Sequence, residues 1–119
     1  MIDYKPLDPA LKQFRLVTVK SRSHSAAVLS VPVQDYLPVH CLLSTFSLNN
    51  APQYQALSYT WGKPENTVSI TVDLRETEVT KNLCQALIDI RQETEDVVLW
   101  ADAICIDQKN GKEKASKFP

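Results

Sequence analysis

Ser58, Tyr59, Asp102 and Asp107 are the residues of this 119-residue chain best placed to do chemistry. Ser58 and Tyr59 sit in one apolar run, Ala56-Leu57-Ser58-Tyr59-Thr60-Trp61-Gly62. Asp102 and Asp107 interrupt a second, Leu99-Trp100-Ala101-Asp102-Ala103-Ile104-Cys105-Ile106-Asp107-Gln108. Two buried strands that deliver hydroxyl and carboxylate groups at their carboxyl ends would build the ligand crevice of an open α/β sheet. Asp102 carries the sharper argument. A carboxylate in apolar surroundings costs on the order of several kcal/mol unless it meets donors or water. It must therefore be paired, exposed at the strand end, or part of a site.

Each of these residues also has an ordinary use. Asp102 suits a turn in which a carboxylate accepts backbone N–H groups, and Asp107 suits a helix N-cap. Ser58 is small enough to let a helix approach, and Tyr59 can pack with its hydroxyl satisfied. Trp61 has the ring to stack on a nucleobase or nicotinamide, yet indoles more often anchor cores. Cys105 reads as a small buried hydrophobe.

Other constellations fall away. With only Gly62 and Gly111 there is no glycine-rich phosphate loop. No Cys-x-x-Cys pair or His-Glu-x-x-His helix offers zinc ligands. His40 and Cys41 are neighbours, so on a strand they face opposite ways and make no base–nucleophile pair. A Ser58–His40–Asp102 triad can be drawn, but nothing in the spacing supports it.

The composition, 44% hydrophobic and 23% charged, is that of a soluble globular domain. A formal net charge of −1 leaves no basic surplus for nucleic acid. No apolar run approaches the roughly 20 residues of a membrane-spanning helix, and the N-terminus lacks a secretory pattern. Cys41, Cys84 and Cys105 are an odd, widely spaced set, which suits reduced thiols in the cytosol or nucleus.

The elements that must position the candidate residues follow from patterning. Residues 1–13, with Pro6 and Pro9, read as an extended lead-in. Phe14 to Val19 is predicted to be a strand and Lys20 to Ala26 a loop. Val28 to Val33 and Val39 to Leu43 are predicted as short strands, pushed towards an edge or a strand end by Pro32 and Pro38. Ser47 to Gln53 is turn chemistry. Tyr54 to Trp61 is predicted as a strand with Leu57, Tyr59 and Trp61 on its bulky face and Ala56, Ser58 and Thr60 on its small one. Gly62 permits a sharp exit. Val68–Val72 and Glu76–Val79 form a predicted hairpin. A helix capped by Thr80 then presents Leu83, Ala86, Leu87 and Ile90 inwards, with Lys81, Gln85, Asp89 and Gln92 outwards. Val97 to Ala101 is apolar on both faces, as a covered central strand would be, and Asp102 ends it.

The two blocks resemble the fungal heterokaryon-incompatibility (HET) domain family. Tyr54-Gln55-Ala56-Leu57-Ser58-Tyr59-Thr60-Trp61-Gly62 matches its Tyr-x-Ala-Leu-Ser-Tyr-x-Trp-Gly motif. Leu99 to Gln108 matches its Leu-Trp-Ile-Asp-Ala-Ile-Cys-Ile-Asp-Gln motif except at Ala101. Tyr4-Lys5-Pro6-Leu7 and Phe14-Arg15-Leu16-Val17 resemble its lead-in, and the resemblance covers about residues 4–114. It implies effectors of programmed cell death that act in self/non-self recognition. It also implies, through the family's similarity to TIR domains, a partial flavodoxin/TIR-like α/β sheet with an added β-hairpin and N-terminal strands. NAD is the substrate that similarity implies.

On this resemblance Ser58, Tyr59, Trp61, Gly62, Asp102 and Asp107 are the candidate ligand-binding residues. The family's third block, of Arg-x-Trp-x-x-x-Glu type, is missing, and Ala115 to Pro119 leaves the pattern. The expected organisation is therefore a lead-in (1–13), a partial HET domain (14–114) and a divergent tail (115–119). A sheet cut short in this way is expected to expose an edge and an apolar face, leave Val97–Ala101 without its far neighbour, and favour self-association. Three functions follow as expectations. One is an incompatibility protein without catalysis of its own. Another is an NAD glycohydrolase in which Asp102 or Glu113 supplies the carboxylate. The third is a module that assembles with copies of itself or other HET proteins. No metal is implied.

Overall fold

The computed structural model describes residues 2–34, 37–58 and 65–111. Over these residues the chain is α/β, with one mixed six-stranded sheet and few helices. Its strands are β1 (Gln13–Val19), β2 (His40–Ser47), β3 (Gln55–Ala56), β4 (Thr67–Val72), β5 (Arg75–Thr80) and β6 (Val97–Trp100). They lie in the order β3-β6-β1-β2-β4-β5. The helices are α1 (Arg22–Leu29), α2 (Lys81–Ile90) and α3 (Asp102–Cys105).

The antiparallel pair β1–β2 is the longest ladder, running from Gln13 opposite Ser47 to Val19 opposite Cys41. β1 also pairs antiparallel with β6, Val17 lying opposite Leu99. Two pairings are parallel, β2–β4 and β3–β6. Parallel neighbours need a long crossover. Between β3 and β6 that crossover carries the β4–β5 hairpin and α2.

Thr80 caps α2 as expected, its Oγ1 accepting the Leu83 N–H at 3.2 Å. Leu83 and Leu87 are fully buried and join Val17, Val19, Cys41, Leu99 and Ile104 in one core. Burying each such side chain contributes about 1.5–3 kcal/mol. α2 and α3 therefore share one face of the sheet.

Four expectations need correction. Lys20–Ala26 is not a loop, because α1 takes Arg22 to Ala26, and Val28–Val33 is not a strand, because α1 takes Val28 and Leu29 and residues 30–33 leave it as a turn and irregular chain. The reason is local: Ser21 Oγ accepts the His24 N–H at 3.1 Å, Ala26 and Ala27 favour helix, and Ser30 closes the helix at φ 56°. Among the described residues of the run from Tyr54, Gln55 and Ala56 alone join the sheet, both exposed at its edge rather than buried. Among the described residues it pairs with β6 on one side and with no strand on the other. Finally, β6 does not lack a neighbour: β1 and β3 flank it.

The hairpin turn is Asp73-Leu74, with φ of 52° and 67°. Two positive φ values in a two-residue loop make a type I′ turn, normally built from Asn-Gly or Asp-Gly. Asp73 Oδ1 accepts the Leu43 N–H at 2.9 Å, which fastens the turn to β2.

Candidate functional site: the rim where β3 and β6 end

The parallel pair β3–β6 brings the two apolar blocks together. Gln55 lies opposite Leu99 and Ala56 opposite Trp100, and the Leu57 N–H donates to the Trp100 carbonyl at 2.8 Å. Ser58 and Asp102 each lie two residues past the last pair, on strands running the same way. They therefore leave the sheet from one end, on neighbouring strands spaced about 4.8 Å apart. Ser58 is exposed and Asp102 half-buried.

Asp102 opens α3, where the chain turns away from the sheet. Its carbonyl accepts the Ile106 N–H at 3.2 Å and Gln108 Nε2 at 2.9 Å. Gln108 also reaches the Ile106 carbonyl at 3.4 Å, so its amide folds back over the end of the short helix. Asp107 Oδ1 accepts the Lys109 N–H at 3.1 Å and its carbonyl the Asn110 N–H at 2.9 Å. The Asp107 carboxylate thus shapes a turn through residues 107–110; it does not immediately precede a helix as its N-cap. Tyr59, Trp61, Gly62 and Glu113 lie outside the described residues.

His40 is not part of this rim. β2 runs antiparallel to β1, and β1 antiparallel to β6, so the start of β2 lies towards the start of β6. His40 therefore stands at the other end of the sheet from Asp102, and the triad drawn through it does not form. There its Nδ1 is 3.4 Å from Ser25 Oγ, whose hydroxyl donates to the Pro38 carbonyl at 3.0 Å. Burial first, then the charges of His24 and Arg91, hold the His40 imidazole below its ordinary pKa.

The residue that sequence reasoning passed over is Arg15. It is 2% exposed in the middle of β1. Nη1 donates to the Cys105 carbonyl at 3.0 Å and Nη2 to the Lys5 carbonyl at 2.8 Å. The guanidinium lies 4.7 Å from the centre of the Tyr4 ring, and the Tyr4 hydroxyl donates to the Ile104 carbonyl. Arg15 and Tyr4 thereby tie the lead-in to α3, the helix that Asp102 begins. The signal was present: a charge inside Phe14-Arg15-Leu16-Val17 calls for the same accounting given to Asp102.

Cys105 behaves as the small buried residue expected. Its sulfur accepts the Ala101 N–H at 3.5 Å. Burial pushes its thiol up to about 12, against smaller opposing effects from the Ala101 N–H and Arg15. It is no nucleophile at neutral pH. Among the described residues no group of three or more His, Cys, Asp or Glu side chains is arranged to hold a metal ion. No helix among them is long and apolar enough to cross a membrane.

Comparison with known proteins bears on the same blocks. A family model described as heterokaryon incompatibility protein (HET) matches residues 54–119. Over 90 residues the chain is 31% identical to heterokaryon incompatibility protein 6, OR allele, of Neurospora crassa. That match covers 65% of this chain and 13% of the relative, so the chain spans a small part of the relative's length. No solved structure matches.

Proposed function

Because this chain belongs to the heterokaryon incompatibility (HET) family, we propose that it acts in fungal self/non-self recognition and the cell death that follows fusion of unlike individuals. The rim at the ends of β3 and β6 is its ligand-binding surface, with Ser58, Asp102 and Asp107 as its described residues; Tyr59, Trp61 and Gly62, the other candidates for ligand binding, lie outside the described residues. Support comes from one observation, the parallel register that sets Gln55 opposite Leu99 and Ala56 opposite Trp100. Strand ends gathered in this way are where open α/β sheets hold ligands. The pair joined through α2 is also the portion of the sheet that a flavodoxin- or TIR-like arrangement would contain.

The proposed setting is the cytosol, consistent with three free cysteines. The proposed partners are copies of the chain or other members of the family. A direct test is inducible expression in a filamentous fungus, scored for growth arrest and dye uptake. Arrest by the native chain, abolished in Ser58→Ala and Asp102→Ala variants that still accumulate, is the expected result. Arrest unchanged in both variants would remove the rim from the account.

A second reading, NAD hydrolysis, follows from the same polar strand ends. A carboxylate from Asp102 or Glu113 would stabilise the positive charge that develops on the ribose as nicotinamide leaves. Chromatographic detection of nicotinamide release separates the readings. Turnover lost in Asp102→Ala or Glu113→Ala favours the enzyme, and absence of turnover alongside growth arrest favours the non-catalytic effector.

A further inference from the structure

Leu74 stands at the tip of the β4–β5 hairpin and is 93% exposed. Its φ of 67° is one that glycine adopts freely and that strains a leucine. A side chain this exposed recovers neither cost inside its own molecule. Strain of this kind persists where function requires the residue. The tip is also held in place. The Asp73 N–H donates to the Cys41 carbonyl at 3.0 Å, and Asp73 Oδ1 accepts the Leu43 N–H at 2.9 Å. Arg75 follows, exposed as well. The hairpin thus offers a leucine and a cation side by side on a fixed turn.

An open groove of about 870 Å³ lies at the start of β6. Ile90, Val97 and Val98 give it apolar surface, and Glu95 and Asp96 give it carboxylates. Asp96 is engaged within the chain, by Lys20 at 2.7 Å and by the Ser21 N–H at 3.1 Å. Glu95 is exposed. Among the described residues no cation lines the groove. Apolar surface beside a carboxylate is the complement of a leucine beside a cation.

The strand register puts tip and groove on one row across the sheet. Val97 lies opposite Val19, Val19 opposite Cys41, and Cys41 opposite Val72, the residue before the turn. Three strand spacings, roughly 14 Å, separate the two ends of that row. Because Asp73 pins the turn, a tip cannot fold back into its own groove. A tip that fills the groove must belong to another molecule.

We propose that the groove takes the β4–β5 tip of a second copy of this chain, Leu74 resting on Ile90, Val97 and Val98 and Arg75 pairing with Glu95. This deepens the partner reading given above and rests on it. Each copy has one tip and one groove, so the contact is head-to-tail and adds copies in series. Asp73, Glu76 and Glu78 place carboxylates close to Leu74 in sequence, which favours a protein over an anionic lipid surface as the taker of the tip.

The test is sedimentation velocity of the native chain, of Leu74→Gly, of Glu95→Arg, and of the Arg75→Glu, Glu95→Arg double variant, each shown by a thermal melt to be folded. The native chain should gain mass as its concentration rises. Leu74→Gly should weaken that association roughly ten- to a hundredfold, the worth of burying one leucine. Glu95→Arg should weaken it as well, and the charge-reversed double variant should regain it. Leu74→Gly keeps its groove and Glu95→Arg keeps its tip, so a mixture of the two should form dimers and nothing larger. A native chain that stays monomeric, association unchanged in both single variants, or a mixture without dimers overturns the proposal. So does Leu74-dependent binding to phosphatidylserine vesicles in place of self-association. Adding a full-length family member separates the failures. A native chain that binds that relative, or binds itself by a route both single variants leave intact, keeps the partner reading and rejects the contact. A native chain that binds neither rejects both.

Discussion

The Leu57 N–H donates to the Trp100 carbonyl at 2.8 Å, and that bond joins the two blocks on which the whole reading depends. It extends a ladder only two residues long. Replacing Leu57 by proline removes the donor, and loss of about 1–3 kcal/mol of stability is expected. Urea unfolding measures the loss. Hydrogen exchange adds a local check, since the Leu57 amide of the native protein should exchange more slowly than that of Ser58.

Arg15 holds the lead-in to α3 through the Lys5 and Cys105 carbonyls and the Tyr4 ring. Lysine cannot reproduce a planar two-pronged donor. Arg15→Lys is expected to cost about 2–3 kcal/mol, the worth of a charge-assisted bond plus a ring contact. A loss under about 0.5 kcal/mol, the range of ordinary surface substitutions, would show that Arg15 does not anchor α3.

Burial raises the Cys41 and Cys105 thiols to about 12, and raises Cys84, which is only half-buried, above its ordinary value. A thiol-reactive dye at pH 8 should therefore label Cys84 first, and Cys41 and Cys105 only on unfolding. Peptide mapping of the labelled protein reads the order. Early labelling of Cys105 would mean that α3 opens independently of the sheet.

The pH dependence has two parts. The folded chain holds the His40 imidazole below its ordinary value, through burial first and then His24 and Arg91. The unfolded chain thus binds that proton more readily, and stability falls as pH drops through about 6.5. For Asp96, burial alone would raise the carboxyl, but Lys20 and the Ser21 N–H outweigh it and hold it low. Its stabilisation is present above 3.8 and disappears as pH falls through the lower folded value. Urea midpoints from pH 8 to 3 should show both declines, and His40→Asn should remove the first while leaving the second. A native profile flat from pH 8 to 5 would contradict the first.

Leu74 is 93% exposed at a φ of 67°. A left-handed conformation costs a branched L-residue about 1–2 kcal/mol, which glycine avoids at some entropic cost. Leu74→Gly is expected to stabilise the chain by about 0.5–1 kcal/mol, visible as a raised Tm. A lowered Tm would assign Leu74 a packing role.

Elements with strong periodicity are legible in the sequence. α2 could be read from Leu83, Leu87 and the Thr80 cap, and β1 and the β4–β5 hairpin from apolar runs bounded by turn residues. α1 was not, because Val28, Val31 and Val33 imitate a strand while the capping hydroxyl of Ser21 is a weaker signal than a run of valines. The Tyr54–Trp61 run reads as a buried strand, yet Gln55 and Ala56 are exposed at the sheet edge, because composition does not say how many neighbours a strand has. That is set by distant parts of the chain. The rim was half legible: the polar residues stood out in both blocks, but the buried Arg15 behind them went unweighed.

The central claim is that Ser58 and Asp102 leave the sheet side by side. It is tested most directly by a Ser58→Cys, Asp102→Cys double variant in a Cys84→Ser background, oxidised under native conditions and mapped by peptide mass spectrometry. Both positions lie two residues past the Ala56–Trp100 pair; if they keep the strand spacing that the account assigns to the rim, they come within disulfide reach, so it predicts a 58–102 cross-link that forms in the folded protein and is slowed by urea. A variant that stays folded yet forms no such link, or forms it only when denatured, would contradict it.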